Sequence, residues 1–217
     1  MRIYPEQLAD HLKAGLKPCY LIFGDEPLLK LEAIDAVRAF WRQGKRSTVV
    51  VAPTGGGKTA IAEELIRLTL AAGRARAYFL AHSTELVAQP LHRLRRAGFH
   101  VGAIKSGWEA DPSAPVQVAS VATIVRRDIE GMAEGIALVI IDEAHRLFLT
   151  PSGKDFAIEC YRVFRKYNAG ILCISQNYRD FLKDRDLADA LMPNTTSVFI
   201  LRQRKIDWDD FKTTFDF

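Results

Sequence analysis

Short apolar, β-branched runs alternate with longer stretches of helical periodicity along almost the whole chain. The runs predict strands at Cys19–Phe23, Ser47–Ala52, Ala75–Ala81, His100–Ile104, Val116–Ser120, Ala137–Ile141, Ala169–Ser175 and Ser197–Leu201. The periodic stretches predict helices at Pro5–Ala14, Glu26–Arg42, Lys58–Ala72, Thr84–Ala97, Ser120–Arg127, Lys154–Tyr167 and Tyr178–Ala190. Thr48-Val49-Val50-Val51-Ala52 and Ala137-Leu138-Val139-Ile140-Ile141 are apolar throughout, the pattern of strands covered on both faces. Strand and helix in alternation imply right-handed crossovers and a mostly parallel sheet, an α/β fold in three layers. Gly107–Pro115, Asp128–Gly135 and the tail beyond Arg202 read as structureless.

At 217 residues the chain has room for one large domain or two small ones, and not for two full motor domains in tandem. Hydrophobic residues at 48% and charged residues at 26% exclude a disordered or fibrous chain. Lys and Arg number 30 against 26 acidic residues, a net charge of +4 that suits an anionic partner without demanding one. No apolar run reaches the roughly 20 residues of a membrane helix, and residues 1–6 lack a secretory signal core, so a cytoplasmic location is expected. Cys19, Cys160 and Cys173 are widely spaced in apolar surroundings and read as reduced packing residues.

The strand ending at Ala52 runs into Pro53-Thr54-Gly55-Gly56-Gly57-Lys58-Thr59 and then the helical Ala60-Ile61-Ala62. This is the Walker A, or P-loop, pattern with Ala52 where the first glycine usually stands. The glycines let backbone N–H groups converge on phosphate oxygens at a helix N-terminus. Lys58 reaches the β- and γ-phosphates of ATP, and the Thr59 hydroxyl ligates Mg²⁺. The strand ending at Ile141 delivers Asp142-Glu143-Ala144-His145 at the same edge of the sheet, where ligands of open α/β sheets bind. Asp142 is then the Mg²⁺-side carboxylate and Glu143 the base that orients the attacking water. The plainer alternative makes this segment an acidic turn capping the next helix. His145 either couples hydrolysis to another element or packs.

With these motifs the chain from about residue 31 to 145 resembles the first RecA-like domain of superfamily 2 helicases of the DEAD/DEAH type. Ala52–Thr59 matches motif I, Ala81–Gln89 resembles motif Ia, Val116–Ile124 resembles the segment holding motif Ib, and Val139–His145 matches motif II, the DEAH box. The resemblance implies ATP hydrolysis coupled to nucleic acid, DNA more than RNA. It also gives Ser83, Thr84, Gln89, Ser120 and Thr123 contacts with the nucleic-acid backbone. Ser83 or Thr84 is equally a good helix N-cap, and both roles are compatible. The family's adenine-reading Arg-Pro-Tyr-Gln segment falls at Pro27-Leu28-Leu29-Lys30, where no glutamine stands.

The ends depart from that family. Residues 1–29, through Gly24-Asp25-Glu26-Pro27-Leu28-Leu29, resemble the start of the DNA polymerase III delta subunit, a clamp-loader component. Lys154–Gln203 resembles the ATPases of conjugation and type IV secretion through Arg162, Arg165–Gly170, Ser175-Gln176-Asn177 and Asn194-Thr195-Thr196. Ser-Gln-Asn stands where helicases carry Ser-Ala-Thr, and Gln176 is a candidate γ-phosphate sensor or water-positioning residue, or else a polar strand end. A mosaic of this kind is also what a recombined or engineered chain would show. The expected division is 1–43 as a delta-like segment, 44–205 as the RecA-like ATP-binding domain and 206–217 as an acidic aromatic tail that docks on a partner or frays.

Basic residues cluster at Arg93–Arg96, Arg126–Arg127, Arg162–Lys166 and Arg202–Lys205. Helicases and secretion ATPases complete their sites with arginines from a second domain or a neighbouring subunit. Arg202 and Arg204 are candidates for that role in an oligomer, and an isolated chain is expected to hydrolyse slowly. Two rival readings stand beside it: a non-catalytic assembly module, clamp-loader-like or secretion-associated, in which nucleotide only stabilises the fold, and a composite or designed fold without selected activity.

Overall fold

A computed structural model describes residues 19–22, 47–51, 58–73, 76–133, 135–195 and 197–201. Among them eight strands form one sheet: β1 (Cys19–Ile22), β2 (Ser47–Val51), β3 (Arg76–Ala81), β4 (Val101–Ile104), β5 (Val116–Ser120), β6 (Ile136–Ile141), β7 (Gly170–Ser175) and β8 (Ser197–Leu201). Their order is β1-β8-β2-β7-β6-β3-β5-β4, and every pairing is parallel. All eight expected strands are present, with ends that move by no more than a residue. The phosphate-loop residues Pro53, Thr54, Gly55, Gly56 and Gly57 lie outside the described residues, as do both helices expected before residue 43, Pro27–Lys30, Arg202, Arg204 and the 206–217 tail.

The α-helices are α1 (Lys58–Ala71), α2 (Thr84–Arg96), α3 (Val121–Ile124), α4 (Ile129–Ala133), α5 (Ala144–Leu147), α6 (Pro151–Lys166) and α7 (Arg185–Leu191). Strand periodicity sorts the core onto two faces. Phe79, Val118, Leu138, Ile140, Leu172 and Ile174 pack with α1 and α2, through Ile61, Leu65, Val87 and Leu91. Tyr78, Leu80, Val139, Ile141, Ile171 and Cys173 pack on the other side with α5, α6 and α7, through Leu147, Phe156, Tyr161 and Leu187. Strands β6 and β7 are buried at every position, which is why they read as unbroken apolar runs. Cys160 and Cys173 are free and buried in this core.

Four expectations need correction, and for three of them a local cause is visible. Tyr178–Ala190 is a 3-10 turn over Tyr178–Phe181 followed by α7. Asn177 Oδ1 accepts from Arg179 N at 3.0 Å and Asp184 Oδ1 from Leu187 N at 3.1 Å, so two side-chain caps divide one periodic stretch. Ser120–Arg127 shortens to α3. Asp128–Gly135, expected to be structureless, contains α4, begun where Asp128 Oδ1 accepts from Glu130 N at 3.1 Å. Helix α6 starts three residues before the expected Lys154, because the Thr150 hydroxyl accepts from Gly153 N at 3.2 Å.

Candidate nucleotide site

The strand order brings the candidate residues together. Strand β7 lies between β2 and β6, with Val51 opposite Ser175 and Ile141 opposite Cys173. The chain leaving β2 toward Lys58, the Gln176 that follows β7 and the Asp142-Glu143 pair that follows β6 therefore emerge at the C-terminal ends of three adjacent parallel strands. Lys58, Thr59 and Ala60 form the first turn of α1, which carries no acidic side chain, so its positive N-terminal end is not internally neutralised.

At the end of β6, Asp142 N continues the pairing with Leu80 O at 3.1 Å, and Asp142 Oδ1 accepts from Glu143 N at 3.0 Å. Glu143 then turns into the left-handed region, φ 50° and ψ 46°. A non-glycine residue there costs on the order of 1–3 kcal/mol and persists where its surroundings hold it. Glu143 stands at the N-cap of α5, yet its side chain makes no capping bond. Its carboxylate instead meets Lys58 Nζ at 2.5 Å, and both oxygens accept from Gln176 Nε2, Oε1 at 3.1 Å and Oε2 at 2.9 Å. The geometry therefore differs from that of a helix-capping acidic turn.

Two neighbouring carboxyls are pushed in opposite directions. Burial raises Asp142 above the usual carboxylate range, against the opposing pull of the Lys58 charge. Burial acts the same way on Glu143, but hydrogen bonds from Lys58 and Gln176 outweigh it and hold that carboxyl below its usual value. His145 Nδ1 stands 3.4 Å from Glu143 Oε2 and 3.4 Å from Ser175 Oγ, and Ser175 donates to Asp180 Oδ2 at 2.5 Å. Sequence reasoning passed over Asp180, since only the 3-10 turn after Asn177 carries it back to the end of β7.

No cluster of three metal-ligating side chains occurs among the described residues. A magnesium–nucleotide site needs none, because Mg²⁺ is held by one or two protein oxygens together with phosphate and water. Hydroxyl and carboxylate oxygens, those of Thr59 and Asp142, are the hard donors such an ion takes.

The candidate nucleic-acid residues follow the ends of neighbouring strands. Ser83 caps α2, accepting from Leu86 N at 3.3 Å, while Thr84 and Gln89 are exposed on that helix. Ser120 ends β5, and Thr123 lines a cavity of about 440 Å³ with Lys105, Gln117 and Arg127. The basic run on α2 is partly engaged within the protein: Arg93 pairs with Glu63 at 3.3 Å, and Arg95 donates twice to Val101 O. Arg126, Arg127 and Arg162 are exposed.

A parallel sheet with a lysine, two carboxylates and a glutamine gathered at the C-terminal ends of its central strands is the arrangement of a RecA-like α/β domain. The chain belongs to the family described as type III restriction enzyme, res subunit, whose model matches residues 29–172. It is 33% identical over 143 residues to IRC3 of Saccharomyces cerevisiae, whose name describes an ATP-dependent helicase, a match covering 60% of this chain and 20% of that protein. A second match, 53% identical over 38 residues, is to the Escherichia coli DNA polymerase III subunit delta and covers 18% of this chain and 11% of that one. The chain thus spans about a fifth of the length of the first relative and about a tenth of the second.

Solved structures support the same fold. The UvsW helicase of bacteriophage T4 superposes with a TM-score of 0.60 at 17% identity, covering 93% of this chain and 69% of that one. The Hef helicase domain of Pyrococcus furiosus gives 0.59 at 20% identity, over 80% of this chain and 38% of that one. A hypothetical ATP-dependent RNA helicase of Sulfolobus tokodaii gives 0.60 at 20% identity, over 90% and 56%.

Proposed function

We propose that this chain is an ATP-binding, Mg²⁺-dependent hydrolase domain of helicase or translocase type that acts on nucleic acid, DNA or RNA. The carrying observation is the convergence of Lys58, Glu143 and Gln176 beyond three adjacent strands. Residues Pro53 to Ala60 cradle the phosphates, with Lys58 on the β- and γ-oxygens. Thr59 and Asp142 hold the metal, which, when bound, neutralises charge on the phosphates. Glu143 orients the attacking water and Gln176 senses the γ-phosphate. Lys58 pairs with Glu143; phosphate oxygens that engage the ammonium would release the carboxylate for water.

The site is completed by a second RecA-like domain or a neighbouring copy. An arginine supplied in this way is worth roughly 10³ to 10⁵ in rate, so this chain turns over slowly alone. The division at 43/44 and 205/206 belongs to this reading, as does a cytoplasmic location. No helix among the described residues is long and apolar enough to cross a membrane.

Phosphate release with and without single-stranded DNA and RNA tests the proposal. Wild type should hydrolyse ATP and respond to nucleic acid, and Glu143→Gln should bind ATP yet turn over at least about tenfold more slowly. Equal turnover by the two proteins would remove Glu143 from the role. The delta-subunit match favours a second reading, a non-catalytic clamp-loader-like assembly module. Thermal stabilisation by nucleotide with no phosphate release under any condition would favour it.

A further inference from the structure

Behind the candidate base lies a short chain of polar groups that the proposed hydrolysis scheme leaves unused. Ser175, the last residue of β7, is fully buried; its hydroxyl lies 2.5 Å from Asp180 Oδ2 and 3.4 Å from His145 Nδ1. Asp180 is held from its other side, where Lys183 Nζ meets Oδ1 at 3.0 Å. A serine hydroxyl has one proton to give, and an ion-paired carboxylate can only accept. The short contact to Asp180 therefore takes the Ser175 proton and leaves Oγ an acceptor toward His145. The second group facing His145 Nδ1 is Glu143 Oε2, also an acceptor, at 3.4 Å. Two acceptors facing one ring nitrogen require that nitrogen to carry the hydrogen.

We propose that Asp180 is a positioning residue: acting through the Ser175 hydroxyl, it holds His145 as the tautomer protonated at Nδ1, so that the ring faces Glu143 as a donor. Without Asp180 the Ser175 hydroxyl is free to rotate and donate to His145 Nδ1, and the ring then presents a lone pair toward a carboxylate. Glu143, already in a left-handed backbone conformation, would lose one of the groups that fix where its oxygens point. The inference rests on the reading of Glu143 as the base for its consequence on turnover, but the tautomer itself does not depend on that reading.

The test uses the full chain with ¹⁵N-labelled histidine, at pH 8.5, about two units above the ordinary imidazole range. Nitrogen shifts and couplings distinguish Nδ1–H from Nε2–H, and His145→Gln identifies the resonance among the five histidines. Wild type is expected to show Nδ1–H at His145. Asp180→Ala should shift the ring toward Nε2–H, while Lys183→Ala, which removes only the exposed partner of Asp180, should leave it unchanged. Turnover in Asp180→Ala should fall about threefold to tenfold through kcat with KM unchanged, the range expected for one lost hydrogen bond. Should that variant fold poorly, Nε2–H in the wild-type spectrum alone still overturns the proposal. Nε2–H or a mixture in wild type, or Nδ1–H surviving in a folded Asp180→Ala, overturns the proposal. No ATP turnover in wild type, with Nδ1–H present and lost in Asp180→Ala, would overturn the hydrolase reading and leave the tautomer assignment standing.

Discussion

Two clusters in this molecule are built from the same residue types. At the centre of the sheet, His145 and Ser175 stand against the carboxylates of Glu143 and Asp180. At its outer edge, beside β4, His100 Nε2 meets Asp111 Oδ2 at 2.7 Å, and Asp111 Oδ1 accepts from Ser113 N at 3.1 Å and Ser113 Oγ at 2.5 Å. Histidine, carboxylate and serine alone distinguish nothing. The difference lies in burial, charge and backbone. The His100 and Asp111 side chains are 58% and 41% exposed, whereas Glu143 is 13% exposed, paired with Lys58 and left-handed. Hydrogen bonds from Ser113 and then His100 hold Asp111 down to about 2, so the edge cluster is a stable carboxylate fastening a loop. In the centre, burial raises Asp142 while Lys58 and Gln176 hold Glu143 down. Adjacent titratable groups driven apart in this way mark sites of acid–base chemistry more often than structural clasps.

The largest expected effect tests whether the centre binds phosphate at all. Lys58→Ala removes the cation and leaves the Glu143 carboxylate beside the phosphate position without its counter-charge. Binding of a fluorescent ATP analogue should fall below detection, while Asp111→Asn at the edge should bind as wild type. Equal affinity in Lys58→Ala and wild type would reduce the central cluster to a structural ion pair and erase the contrast.

Next in size is a stability effect confined to the edge. Gly102 in β4 faces the same loop, and a Cβ there would lie 2.4 Å from Asp111 O and 2.7 Å from Gln117 Oε1. Gln117 is buried and donates to Asp111 O at 2.7 Å and Ala114 O at 2.9 Å, so the backbone has little room to withdraw. Gly102→Ala should therefore cost about 1–3 kcal/mol, seen as a lower Tm with ATP turnover of the folded protein unchanged. A Tm equal to wild type would mean that the loop is not clasped. A loss of turnover at preserved Tm would mean that the edge communicates with the centre.

The same contrast explains what could be read from the amino-acid sequence. The strands were legible because both faces of β6 and β7 are covered, leaving runs with no polar interruption. Lys58, Asp142 and Glu143 were legible because each follows such a run within a compact local motif. Nothing in the spacing places Gln176 against Glu143, 33 residues away; the strand order that puts β7 between β2 and β6 does so. Asp180 was hidden for a second reason. Asn177 and Asp184 divide the stretch read as one helix, and the 3-10 turn between them is set by side-chain caps that compete with the periodic apolar pattern. The edge clasp, by contrast, lies in Gly107–Pro115, correctly read as lacking regular structure, but its contacts with His100 and Gln117 are tertiary.

The smallest effect separates the two clusters by acid. Asp111 has a folded-state value near 2 against an ordinary 3.8, so the folded form is the weaker proton binder. Its contribution to stability is complete above the ordinary carboxylate range, declines as pH falls from about 4 to about 2, and is gone once the carboxyl is protonated in both states. The Tm difference between wild type and Asp111→Asn should follow that course, favouring wild type at pH 6 and vanishing near pH 2. Being solvent-exposed, the contribution is small and should shrink further in high salt. The centre should behave otherwise, since the raised Asp142 and the lowered Glu143 shift stability in opposite senses as pH falls. Asp142→Asn should therefore gain relative to wild type above the ordinary carboxylate range, where wild type carries a buried charge, and lose that advantage in acid. Parallel acid profiles for Asp111→Asn and Asp142→Asn would show that both carboxylates are ordinary clasps.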